Sequence, residues 1–482
     1  MSILSFEFLL LAAGVTIVYY LLPLSVRWIA LLLGSAVFLL FSGWQSIAHL
    51  SAAALVMWGG ALLLEKRKSR WVLAPLLGLE LGAMALLKYY PALFGAAMIL
   101  PLGLSYYTFQ AAGYLIDVYR GKAQAQKNPL KAWLFLGYFP QMTQGPISGW
   151  RELSGQLFRG GRFSPEDFTA GFELLLWGYF KKLVIADRLT PAADALLRGG
   201  ALPGWFILGG AALYTVRLYM DFSGGMDAVR GLSRMLGVSL PENFRRPFFA
   251  QSVADYWRRW HITLGAWFRT YLLYPLITSR AGVALGRASV RRLGRQVGRA
   301  IPSALATFCV FLLIGIWHMA SWNAVVYGAY FGLIMAASLL LEPVWKSMRS
   351  ALSLPGHGWM TALRLVRTWL LILPAQYFAF TSSPAQGLSL LLGSLQNWRF
   401  AGFTTLTSGV MAPLEWLIVG AGCAVVLIVE ILCEHKIDVC GRLSRARCIV
   451  RWPVLLALLL CIAIFGMYGA GYDGAEFLYT QF

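Results

Sequence analysis

The sequence predicts an all-α fold, a polytopic transmembrane helical bundle of about 10–13 membrane segments, some re-entrant, around a central polar funnel. Three observations carry that expectation. Of the 482 residues, 59% are hydrophobic and only 13% are charged, with a mean hydropathy of +0.64; soluble domains carry about 25% charged residues. Apolar runs approaching the ~20 residues that a spanning helix needs recur from end to end. The basic residues gather in the connections between those runs.

Taken in order, the first runs cover 4–21, 28–42, 47–64, 71–87 and 93–118. Glu65-Lys66-Arg67-Lys68-Ser69-Arg70 follows the third, and Arg120-Gly121-Lys122 follows the fifth. If the first three cross, a cytoplasmic 65–70 loop places the N-terminus outside, and the next two runs return the chain to the cytoplasm at Arg120. Met1 to Glu7 lacks the basic region of a signal peptide and reads as the start of a retained first helix. Ser164-Pro165-Glu166-Asp167 offers an N-cap, a first-turn proline and first-turn acids, and should start the helix carrying the 168–186 run. Runs at 203–220, 301–317, 322–342, 365–380, 411–432 and 452–470 complete the set. Ser383-Pro384 should start a short helix over 385–395, suited to the interface or to a gap in the bundle.

The net charge of +20 is not a nucleic-acid signature, because its carriers flank apolar runs. A third basic cluster holds Arg280, Arg287, Arg291, Arg292, Arg295 and Arg299. The positive-inside rule accounts for all three clusters, with membrane lipids as the partner; the sharper alternative is a basic rim for anionic headgroups or a phosphate-bearing donor. Cys433, His435, Cys440 and Cys448 match no zinc spacing, so no metal is expected. Neither a Walker loop nor a dinucleotide fingerprint is present, and no resident cofactor is expected.

Two histidines stand out. His318 lies in Trp317-His318-Met319-Ala320-Ser321-Trp322-Asn323, between two apolar runs, where an ionisable group marks function by default. His261 closes Asp255-Tyr256-Trp257-Arg258-Arg259-Trp260-His261 within 214–276, a stretch that does not read as simple spans. There Asp221-Phe222-Ser223-Gly224-Gly225-Met226-Asp227 should interrupt the apolar pattern, and Pro241-Glu242-Asn243-Phe244 should turn. Irregular polar backbone at membrane depth must be buried in protein or line a wet cavity. The blander readings are ion pairs of Arg258, Arg259 and Arg269 with headgroups or with Asp221 and Asp227, interfacial tryptophans, and a structural His261.

These residues, in order, resemble the membrane-bound O-acyltransferase family, and within it the alginate O-acetyltransferase branch. The resemblance runs through Pro101 to Gln110, Tyr114 to Arg120, Phe139-Pro140-Gln141 with Gly145-Pro146-Ile147, and Phe180 to Arg188. It continues through Asp221 to Gly224, Pro241 to Phe244, Tyr256 to His261, Trp317 to Asn323 and the terminal Phe477 to Phe482. It implies one integral-membrane domain over 1–482, with N-terminal helices to 120, a catalytic core over about 130–345 and C-terminal helices over 365–482. It also implies His318 as the essential histidine and His261 as the second. Met319 stands where the family has glycine, Gly225-Met226 where a Tyr-Ser pair is common, and Gln376 to Phe380 replaces a Phe-Phe-Arg-Ala.

The implied reaction carries an acetyl group from a cytoplasmic thioester, acetyl-CoA as co-substrate, to a hydroxyl of an exported polysaccharide or an extracytoplasmic relay protein. The enzyme would be a multi-pass protein of the bacterial inner membrane. His318 would act as general base, worth about 10²–10⁴-fold, unless it forms an acyl-histidine. Asn323, Trp322 and His261 are candidate oxyanion donors. Trp317, Asp221, Ser223, Asn243, Arg258, Arg259 and Trp260 are further candidates for binding substrate. His318 lies either at an outer turn or deeper between tilted helices, and the resemblance favours the deeper position. The rival readings are a teichoic acid D-alanyl transferase fed by a carrier-protein thioester, a polysaccharide or lipid transporter, and a scaffold.

Overall fold

The computed structural model describes residues 2–95, 100–197, 202–351, 358–400 and 402–468 and is helical, with no strand among them. The terminal Phe477 to Phe482 motif and His357 lie outside the described residues. Each apolar run of the sequence contributes to a helix, although 93–118 is divided between the Arg70–Phe94 and Leu104–Tyr119 helices. Seven helices are long and apolar enough to cross a membrane, and the Phe6–Leu21 helix is a shorter apolar one. The Leu104–Tyr119, Gly204–Met235 and Gly358–Phe380 helices carry buried polar or charged groups such as Asp117, Arg217 and Gln376.

The chain forms two compact units. The first comprises Met1–Arg188, Leu218–Glu242 and Leu417–Gln481. Its opening helices follow one another with tight connections. Ser5 caps Phe6–Leu21, and Phe8 meets Phe38 of the Arg27–Phe41 helix and Phe139 at ring separations of 5.7 and 5.9 Å. Trp44–Lys66 and Arg70–Phe94 are joined through the basic Arg67-Lys68-Ser69 link, and Gly95 ends the latter in the left-handed conformation. Residues 138–148 are irregular yet wholly buried, the condition on which non-helical backbone survives in such a protein.

Ser164 accepts from the Asp167 amide at 3.1 Å and starts the Pro165–Tyr179 helix, as the sequence predicts; a π-helical turn, Phe180–Ala186, continues it. One expectation is corrected. Asp221 to Asp227 does not interrupt the chain, because the Gly204–Met235 helix runs through it unbroken. The reason is packing. A Cβ on Gly224 would lie 2.7 Å from the Gly178 carbonyl, and one on Gly171 2.6 Å from the Gly231 carbonyl. The two backbones therefore approach where only glycine fits, and the intervening carboxylates find lysine partners across that contact.

The second unit comprises Leu189–Arg217 and Asn243–Trp416. Its centre is an αα-hairpin formed by the Arg280–His318 and Trp322–Leu340 helices. The first of these kinks at Gly294 (φ 78°). Gly315 and Gly328 let the pair close: a Cβ on Gly328 would sit 2.7 Å from the Phe311 carbonyl. The Gly358–Phe380 helix packs on this hairpin, Tyr330 donating to the Leu371 carbonyl at 2.9 Å. Ser383 caps the short Pro384–Gly393 helix, again as predicted.

Candidate active site

His318 is the last residue of its helix, at the turn Met319–Ser321 of the hairpin, and is half-buried with its ring 4.6 Å from that of Trp317. Ser321 caps the next helix by accepting from the Ala324 amide at 3.3 Å. His318 therefore lies between a helix C-terminus and a helix N-terminus, four residues before Trp322, the first residue of the next helix, whose opening N–H groups lack partners within the helix.

His261 reaches the same neighbourhood by a different route. Ser252 caps the short Val253–Arg259 helix, whose Trp257 packs edge-on against Phe311 and Phe331 of the hairpin at 5.2 and 5.0 Å. The chain then turns sharply at His261, a non-glycine residue at φ 45°, ψ 53°. Such left-handed backbone costs about 1–3 kcal/mol and persists only where the surroundings hold it. Here the holder is Asn243. The Arg245 amide donates to the Arg259 carbonyl at 2.8 Å and the Ile262 amide to the Asn243 carbonyl at 2.9 Å. Asn243 Oδ1 accepts from the Thr263 amide at 3.0 Å and from Thr263 Oγ1 at 2.9 Å.

That arrangement fixes a tautomer. The Thr263 amide can only donate, so the Asn243 atom facing it is oxygen; His261 Nδ1, 3.3 Å from the same oxygen, must then carry the proton. Nε2 is left as the acceptor nitrogen of the ring. His261 is 3% exposed, and burial together with the nearby His318 pushes its pKa well below the usual imidazole value. The influence of His318 on this imidazole is electrostatic, second to burial. Trp260, stacked on Tyr256 at 5.5 Å and edge-on to Phe244 at 5.0 Å, walls the turn.

The other sequence candidates divide clearly. Asn323, 1% exposed, donates its amide to the Thr381 carbonyl and to Thr381 Oγ1. Because a carbonyl must face the NH₂ group, Oδ1 points the other way and has no protein partner, so Asn323 presents an acceptor. Trp322 is 76% exposed, in keeping with an interfacial anchor. Arg258 and Arg259 reach Asp255 on their own helix, at 3.5 and 3.2 Å.

Asp221 and Ser223 belong to the first unit. There Lys182 pairs with Asp221 and, at 2.8 Å, with Asp187; Lys181 donates to Ser223 at 2.9 Å and to Asp227 at 2.7 Å. Sequence reasoning did not single out these lysines, although two adjacent cations in an apolar run require counter-ions. It also passed over Thr143 and Gln144. In the buried 138–148 segment, Gln141 Oε1, Thr143 Oγ1 and both amide atoms of Gln144 have no protein partner, which leaves them for water or substrate.

No family model matches the chain. It is 33% identical over 329 residues to a probable alginate O-acetylase AlgI from Pseudomonas fluorescens, covering 66% of this chain and 62% of the relative. A second such protein, from Pseudomonas putida, is 31% identical over 347 residues, 66% of each chain. Similarity extends at 28% over 269 residues to a peptidoglycan O-acetyltransferase of Helicobacter pylori, covering 50% and 47%. It reaches 25% over 279 residues with a teichoic acid D-alanyltransferase of Bacillus subtilis, covering 56% and 65%. The chain thus spans about three fifths of the first relative's length and half of others.

Proposed function

The chain belongs to the membrane-bound O-acyltransferase family, and from that premise we propose that it transfers an acetyl group from acetyl-CoA on the cytoplasmic side to an exported hydroxyl. The acceptor is a cell-surface polysaccharide or an extracytoplasmic relay protein, and the enzyme works in the bacterial cytoplasmic membrane. The observation that supports the reading is a buried imidazole, His261, held in one tautomer by Asn243 and depressed in basicity by burial and by His318, the last residue of a membrane hairpin's first helix.

The chemistry balances with this chain's own groups. His318 takes the proton of the acceptor hydroxyl as its oxygen attacks the thioester carbonyl. The C–O bond forms, the C–S bond breaks, and the proton passes to the leaving thiolate. His261, neutral and protonated at Nδ1, presents Nε2 as an acceptor and so orients a donor, either the hydroxyl or the His318 ring. Asn323 Oδ1 is a second acceptor for the incoming hydroxyl. Stabilisation of the oxyanion falls to the backbone N–H groups and dipole at the N-terminus of the Trp322–Leu340 helix, beside His318.

The test is transfer from labelled acetyl-CoA into polymer or partner by membranes carrying the wild-type protein or His318→Ala. Incorporation from labelled D-alanine on an acidic carrier protein would instead favour the D-alanyl reading that the Bacillus subtilis relative supports.

A further inference from the structure

One basic cluster enters none of the acyl-transfer steps proposed above. Ser279 caps the Arg280–His318 helix by accepting from the Gly282 amide at 3.0 Å. After four turns Gly294, at φ 78°, folds the chain back: a Cβ on Gly298 would meet Val290 at 2.5 Å, and one on Gly286 would meet Pro302 at 3.3 Å. The result is a small helical hairpin leading straight into the apolar crossing that ends at His318. Between its arms lies a cavity of about 530 Å³ whose floor is Val283, Val290 and Pro302 and whose charged wall is Arg287, Arg291 and Arg299.

Three guanidinium groups around one cavity repel one another unless an anion joins them. Among the described residues the protein supplies none. No Asp or Glu occurs between Asp255 and Glu342, and among the described residues none of the three arginines is in an ion pair. Arg287, Arg291 and Arg299 are all exposed, as are Val283 and Leu293 at 43% and 56%. Arginines interleaved with exposed aliphatic residues, continuous with a membrane-crossing helix, mark an element that rests in the headgroup layer. By the positive-inside rule that layer is the cytoplasmic leaflet.

We infer that this cavity binds the phosphodiester of an anionic phospholipid from the cytoplasmic leaflet, with Arg287, Arg291 and Arg299 on the phosphate and Val283, Val290 and Pro302 against the glycerol and upper acyl chain. Arginine suits the role because its planar fork donates to two phosphate oxygens at once. The site would tie the base of the catalytic hairpin to the membrane surface.

The experiment is native mass spectrometry of the full-length protein in a neutral detergent, titrated with dioleoyl phosphatidylglycerol or dioleoyl phosphatidylcholine. Phosphatidylglycerol should remain bound where phosphatidylcholine does not. The R287Q/R291Q/R299Q variant should weaken that retention roughly tenfold to a hundredfold, since each Arg near a charged surface contributes about 1 kcal/mol. The substituted side chains are exposed, and far-UV circular dichroism checks that the variant is folded. R292Q/R295Q, which changes the charge of the same hairpin outside the cavity wall, should leave retention unchanged. Equal loss in both variants would reduce the effect to overall charge and overturn the site. Equal retention of phosphatidylcholine would overturn the headgroup assignment. Displacement of the lipid by inorganic phosphate or free CoA at comparable concentration would show that the arginines serve a soluble phosphate instead.

Discussion

Removing the Asn243 amide should uncouple the turn at His261 from the rest of the site. In Asn243→Ala the Thr263 amide, the Thr263 hydroxyl and His261 Nδ1–H lose their common acceptor in a place where Asn243 itself is 1% exposed. A buried donor left without a partner costs about 1–3 kcal/mol. The hydroxyl can rotate to another acceptor, so two donors are stranded and the loss should be about 2–6 kcal/mol. The left-handed backbone at His261 adds to the pressure to relax. Asn243→Asp keeps an acceptor in place and should recover most of the stability. It also puts a carboxylate on Nδ1, which favours the imidazolium and should shift the acidic limb of the pH–rate profile upward. The assays are reversible unfolding in mild detergent and acetyl transfer by membranes across pH 5.5–8.5. Asn243→Ala with wild-type stability, or Asn243→Asp with an unmoved pH profile, would refute the proposed tautomer lock.

Further expectations follow from the same geometry. His261 has a depressed pKa when folded and about 6.5 when unfolded, so the unfolded chain binds the extra proton: stability is intact above pH 6.5 and falls as pH drops below it. Unfolding should therefore become easier between pH 7 and pH 5.5, and His261→Asn, which tolerates the left-handed backbone, should show a shallower pH dependence of unfolding. Lys182→Met removes the cation shared by Asp221 and Asp187 and should cost about 3–5 kcal/mol, whereas Lys182→Met with Asp221→Asn should be milder; equal losses in unfolding experiments would remove the ion pair from the account. Gln144→Leu removes a buried amide without protein partners, so thermal stability should hold or rise while acetyl transfer falls at least about tenfold; unchanged transfer would mean the amide serves no substrate path.

Much of this was legible in the sequence, and the rest was hidden for identifiable reasons. Apolar runs located the helices because burial and membrane insertion both act on local hydrophobicity. The caps at Ser164 and Ser383 were legible because their partners lie three residues away. The continuous helix through Asp221 to Asp227 was not, because its polar groups are compensated by Lys181 and Lys182, more than 35 residues distant, and its glycines by a second helix. The partner of Arg258 and Arg259 was within reach: Asp255 stands at i−3 and i−4, the spacing at which helical side chains meet. Asn243 could be picked out as a site candidate, but its work on His261 depends on a left-handed turn that no residue pattern announced. Asn323 was expected to donate, and only the position of Thr381 reveals which end of its amide is taken.

The most direct measurement follows heavy-isotope acetyl label from the cytoplasmic pool into the cell-surface polymer or an exported partner, comparing wild type with His318→Ala at matched membrane abundance. If His318 is the general base, labelling falls by about 10²–10⁴-fold in the variant, and the mass of the labelled product identifies the acceptor. Labelling that persists undiminished in His318→Ala would contradict the account at its centre.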